Sequence, residues 1–152
     1  MKKVWLLMLS AALLILGAGC GLFSDEGKDA AEEEKGPQIP KIEFGNYPRD
    51  DGNFQAVNPR KHFGIDEGFA MVFSLPEGEQ FDTARLKIQI KNKKEDRVLQ
   101  EIIKEVKPDS RQYKWEFTSS SDFYGFYETG DYEVKVLRGE DVLAEGEFTI
   151  TN

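Results

Sequence analysis

The sequence predicts an all-β fold, an antiparallel two-layer sandwich of six or seven strands, and three observations carry that expectation. Apolar and polar residues alternate with a period of two in segment after segment, which puts one side-chain set on a core face and the other in water. Reversal signals separate the segments. No convincing amphipathic helix follows residue 40, so the crossover helices that parallel sheets require are missing.

Taken in chain order, Phe69 to Leu75 is rich in apolar residues, as a central strand should be. In the next segment Ala84, Leu86, Ile88 and Ile90 alternate with Arg85, Lys87, Gln89 and Lys91. Asn92 to Asp96 supplies a turn, and Val98 to Val106 follows as a strand whose mixed pattern leaves its inward face open. Tyr113, Trp115 and Phe117 oppose Gln112, Lys114 and Glu116, with Trp115 expected as the large filler between the sheets. Tyr132, Val134 and Val136 oppose Glu133 and Lys135. Arg138-Gly139-Glu140-Asp141 then reads as a glycine-containing hairpin into Val142, Ala144, Phe148 and Ile150. His62, within Asn58-Pro59-Arg60-Lys61-His62-Phe63-Gly64, reads as loop.

The 152 residues carry 20 Lys plus Arg, 28 Asp plus Glu, one His and one Cys, for a net charge of −8. A single cysteine forbids an internal disulfide framework and a multi-thiolate zinc site. The acidic balance argues against nucleic acid as a partner, since phosphates attract Lys and Arg stripes. Residues 1–19 read as a signal peptide: Lys2 and Lys3, an apolar run from Val4 to about Leu16, then small residues. The run is shorter than the ~20 residues that span a hydrocarbon core. Gly17-Ala18-Gly19-Cys20 resembles the lipobox of bacterial lipoproteins. That resemblance implies a diacylglyceryl thioether on Cys20, usually with an acyl group on its amine, and hence an extracytoplasmic address with membrane lipid as the first partner. An ordinary cleaved signal with a free Cys20, or an uncleaved anchor, are the alternatives.

Residues 20–40 follow as the lipidated cysteine and an acidic tether. Gly21 to Pro40 holds six acidic residues and two lysines, a net −4, with almost nothing to bury after Phe23. Such a segment is expected to stay disordered and extended by self-repulsion. Twenty residues reach at most ~70 Å, and a flexible coil averages nearer ~25 Å. Residues 41–152, with 16 basic and 22 acidic residues, form the working domain at net −6. Its closing stretch, Gly130-Asp131-Tyr132-Glu133-Val134-Lys135-Val136, then Gly146-Glu147-Phe148-Thr149-Ile150, resembles the last two strands of bacterial immunoglobulin-like domains. The resemblance implies that Tyr132 packs inward beside a glycine-assisted turn and that Phe148 lies on the strand closing one sheet.

Chemistry is sparsely announced. There is no G-x-S-x-G elbow, G-x-x-x-x-G-K-[ST], G-x-G-x-x-G or H-E-x-x-H, and His62 alone leaves room for at most one imidazole-dependent mechanism. No cofactor and no catalytic residue is expected. Asp50-Asp51-Gly52-Asn53 with Asp66-Glu67 is more simply a set of solvated turns than a calcium site. Arg85, Lys87, Lys91, Lys93, Lys94 and Arg97 form a basic cluster that acids such as Glu101, Glu105, Glu133 or Glu147 should neutralise across strands. Contact with anionic lipid head groups or wall polymers is the other reading of that cluster.

The stretch from Ser119 to Gly130 holds four aromatics within five positions: Phe123, Tyr124, Phe126 and Tyr127. These rings either plug the open end of the sandwich or form a platform for sugar faces or partner proteins. A non-catalytic binding module for an envelope component or another protein is the leading functional expectation. A proteinase inhibitor presenting the connection from Asn46 to Glu67 is one alternative, and a small hydrolase is a weaker one.

Overall fold

The computed structural model describes residues 38–118 and 123–152. Eight strands are formed: β1 (Glu43–Gly45), β2 (His62–Gly64), β3 (Phe69–Ser74), β4 (Arg85–Asn92), β5 (Arg97–Glu105), β6 (Gln112–Phe117), β7 (Gly130–Arg138) and β8 (Asp141–Thr151). They make two sheets, β1-β3-β6 and β2-β8-β7-β4-β5. The six strands expected from the sequence are all present. In immunoglobulin lettering the sheets are ABE and A′GFCC′, the Greek-key arrangement of that fold. The domain is an immunoglobulin-like sandwich.

Two strands were not legible as such. β1 and β2 have three residues each, too few for an alternation to register. His62 therefore opens a strand instead of lying in a loop, and β2 runs parallel to β8, with Phe63 opposite Ile150. The parallel pairing is open to β2 because it arrives from a long connection and not from a hairpin. On this side the sandwich is closed: Lys41 bridges to Glu145, the amide of Ile42 donates to the Glu145 carbonyl at 2.8 Å, and that of Glu145 to Pro40 at 3.0 Å.

The core lies between the inward faces of the two sheets. Leu86, Ile88 and Ile90 from β4 meet Val134 and Val136 from β7, and Phe69, Met71 and Phe73 from β3 close over them. Phe148 lies 5.6 Å from a stacked Tyr132 ring. The Tyr132 hydroxyl donates to the Glu128 carbonyl four residues upstream at 2.7 Å. This is the tyrosine corner that fixes the entry of the equivalent strand in immunoglobulin domains. Asn92, the one buried polar side chain among the described residues, accepts the amides of Lys94 and Glu95 at 2.9 and 3.1 Å and so turns β4 into β5. Gly139, at φ 60°, makes the reversal between β7 and β8 that an L side chain would strain.

Trp115 departs from the expected filler role. It is half-buried at the side where β5 and β6 are, among the described residues, the neighbouring end strands of the two sheets, with the Lys104 ammonium 4.8 Å from its ring centroid. The core centre is filled by phenylalanines instead.

Burial raises the Tyr113 phenol, and burial foremost also raises that of Tyr132, above the ordinary 10.0, with Asn92 opposing the shift at Tyr132. Both phenols are thus held neutral in the fold. Their contribution is fully present below the unfolded value of about 10 and is lost as pH rises from there toward the folded values. Urea midpoints should accordingly fall between pH 9 and pH 11, and Tyr113→Phe should shallow that fall; an identical fall in the variant would remove Tyr113 from the account.

The poles of the domain are set by register. Glu43 lies opposite Val72 and Gly45 opposite Ala70, while Phe69 lies opposite Phe117. The incoming residues 38–41 consequently sit beside Ser74, Leu75 and Pro76, at the end of β3 away from Phe69. Phe117 leads into the aromatic connection at the other end.

Candidate functional site

Outside the core, two places concentrate unusual side chains. The first is the outer face of the small sheet. Ala70 and Val72 point away from the core yet are fully buried, because residues 46–57 fold down over them. Lys114, opposite Val72, holds this cover in place. Its ammonium donates to the carbonyls of Pro48 at 3.2 Å, Asp50 at 2.5 Å and Asn53 at 3.2 Å, using all three of its protons. The rings of Tyr47 and Phe54 each lie 5.2 Å from it. Asn46 and Val57 close the loop with reciprocal backbone bonds of 2.7 and 3.0 Å. Residues 46–57 of the connection considered for protease inhibition are thus pinned flat against the sheet.

The second place is the aromatic connection. Its four rings divide: Phe123 and Phe126 are 7% and 6% exposed, while Tyr124 and Tyr127 are 78% and 79% exposed. Phe126 packs within 4.9 Å of Tyr132, 5.1 Å of Phe148 and 5.7 Å of Phe117. Phe123 lies 4.7 Å from Phe126 and 5.3 Å from Phe117. The rings that close the end of the core and the rings that face solvent are therefore different residues. Phe123 and Phe126 are taken off the accessible surface because they close the end of the core. Gly125, at φ 93°, allows the chain to turn between one in-and-out pair and the next, in a conformation that an L side chain would strain.

Two further ties fix the connection. The Tyr124 amide donates to Gln100 Oε1 at 3.2 Å, and the Tyr132 hydroxyl holds Glu128. A hollow of about 230 Å³ lies on the β5 side of the two tyrosines. Ile90, Leu99, Phe123 and Tyr132 supply its apolar lining, and Arg97, Gln100 and Glu128 its polar lining. Arg97 is steadied by Glu95, whose carboxylate accepts from Nε at 2.9 Å. A second, wider hollow of about 460 Å³ on the other side of the same tyrosines is bordered by Asp66 and Glu67.

Arg97, Leu99 and Gln100 were not expected to join this site. The ladder between β4 and β5 slips between Ile90 and Lys91, so that Ile90 faces Gln100 while Lys91 faces Val98. That bulge leaves Leu99 as an extra residue and blurs the alternation of the whole strand.

The remaining sequence candidates are accounted for locally. Cys20 lies outside the described residues, as do Ser119 to Asp122. Lys87 pairs with Glu101 at 3.3 Å, Lys93 with Glu147 at 2.7 Å, Arg97 with Glu95, and Lys91 with Asp96. These pairs disperse much of the basic cluster. Asp50 Oδ1 accepts the amide of Gly52 at 2.8 Å, and Glu67 accepts that of Gly64 at 2.9 Å while pairing with Arg60. The bond from Gly64, burial working against it, and then Arg60 set the Glu67 carboxyl below its ordinary value. Among the described residues no three metal-ligating side chains converge.

No protein-family model matches the chain, and no curated protein does. Among solved structures, the chain is similar to an immunoglobulin-like protein from Pseudomonas aeruginosa, at 19% identity and a TM-score of 0.44, over 72% of this chain and 91% of that one.

Proposed function

We propose that the chain is a lipid-anchored, extracytoplasmic lipoprotein whose sandwich is a non-catalytic binding module for an envelope component or partner protein, with Tyr124 and Tyr127 as the contact face. The carrying observation is the exposure of two phenol rings on a connection nailed down by two buried phenylalanines. Rigid, amphipathic rings held in advance bind at low entropic cost, because little freedom remains to be lost. Polarity supports the same reading: a chain tethered through residues 38–41 enters at the pole opposite the aromatic connection.

Two arms test this. Cys20→Ala should release the protein from the membrane fraction or leave its precursor unprocessed; a processed, membrane-bound variant would end the lipoprotein reading. Tyr124→Ala/Tyr127→Ala in the full chain should leave the melting temperature near that of the parent, since exposed substitutions change stability by about 0.5 kcal/mol or less. The same variant should lose partners captured by crosslinking in the native membrane. Unchanged capture would overturn the assignment of this face.

A further inference from the structure

Resting on the binding reading above, we infer that the 230 Å³ hollow beside Tyr124 and Tyr127 takes one uncharged pyranose ring of an envelope glycan. The size argues for a single ring, since pockets for drug-sized ligands begin at ~300 Å³. The lining argues for a ligand with an apolar face and a hydroxylated edge. Exposed phenols and a floor of buried Ile90 and Phe123 with half-buried Leu99 suit the C–H face of a sugar whose hydroxyls are equatorial.

The polar lining selects further. Glu128 is acceptor-only when ionised and Arg97 is donor-only, so the edge of the ligand must both donate and accept. Hydroxyls do both. A phosphate or carboxylate would meet the charge of Glu128, and an amine would meet that of Arg97. An aromatic side chain from a protein would fit the floor yet strip water from both charged groups without replacing it, a costly exchange. A neutral sugar ring satisfies floor and rim together.

The test uses the full-length chain in detergent, titrated with β-1,4-linked tetrasaccharides of glucose and of N-acetylglucosamine and, separately, with a short tyrosine-containing peptide, by isothermal calorimetry and amide chemical shifts. Saturable binding of either tetrasaccharide is expected with Kd on the order of 0.1 to 1 mM, suited to a shallow one-ring site. Shifts should centre on Leu99, Gln100 and residues 124–128. Tyr127→Ala should weaken binding about tenfold, equivalent to 1.4 kcal/mol. Glu128→Ala should weaken it about fivefold, and Lys107→Ala, away from the hollow, should not change it.

Absence of saturable binding at about 10 mM of both sugars, roughly ten times the weaker expected Kd, overturns the inference. So does sugar binding that is undiminished in Tyr127→Ala, or binding of the peptide in place of the sugars. If sugars fail while the tyrosine double variant still loses its captured partner, the glycan assignment falls and the binding face stands. If capture is also unaffected, both fall.

Discussion

Phe69→Ala should leave the domain unfolded or close to it. The Phe69 ring touches rings from five other segments: Phe63 stacked at 3.9 Å, Phe117 at 4.8 Å, Phe148 at 4.9 Å, Phe126 at 5.8 Å and Phe44 at 6.4 Å. It therefore joins both sheets and the aromatic connection through one side chain. Phe-to-Ala changes in cores cost ~3 to 5 kcal/mol, against the ~5 to 15 kcal/mol that holds most domains together. Collapse cannot refill the space, because the neighbours are rigid rings from opposite layers. Phe69→Leu, which keeps most of the volume, should fold and lose about 1.5 kcal/mol. Urea unfolding of both variants checks the claim, and an alanine variant within 2 kcal/mol of the parent, about the mildest cost seen for large core deletions, would show that the site is far more plastic than its packing implies.

Lys114→Met should have the second largest effect and a different character. It keeps the stem over Val72 but removes the ammonium from three carbonyls. Hydrogen bonds from charged groups contribute ~1.5 to 3 kcal/mol, and partial access of water to this loop brings the expected loss to about 2 kcal/mol. The damage should be local first: amide exchange at Asn46 and Val57 should accelerate, and proteases should cut between Tyr47 and Phe54. Lys114→Arg should restore little, because a planar fork does not replace a compact ammonium facing three converging oxygens. Equal protection in parent and Lys114→Met would mean that Tyr47 and Phe54 hold the cover without the charge.

What could be read in advance follows from where the information is stored. β4, β7 and β8 declare themselves because every second residue is committed to the core, a local fact written along each strand. β1 and β2 hold only three residues each, and their pairing depends on a chain that switches from one sheet to the other. Lys114 alternates correctly as an outward residue beside Trp115, yet its outward side is covered by residues about sixty positions earlier. No local pattern records that docking. In the aromatic connection, composition marked the place, but which rings face inward is decided by Phe117, Tyr132 and Phe148. The lining from Arg97 to Gln100 was hidden by the bulge in the ladder.

The Lys104 ammonium over Trp115 has a meaning beyond that ring. Among the described residues β5 and β6 end their sheets on the same side of the sandwich, nine and six residues long, edges of the kind onto which another extended chain can zip. Were the chain anchored as proposed, copies on one surface would meet at high effective concentration, where such edges are most hazardous. By register Lys104 lies opposite Leu86, placing a cation on the inward face of an edge strand. An incoming strand that extended the sheet would have to bury that charge, which disfavours edge-to-edge addition at β5.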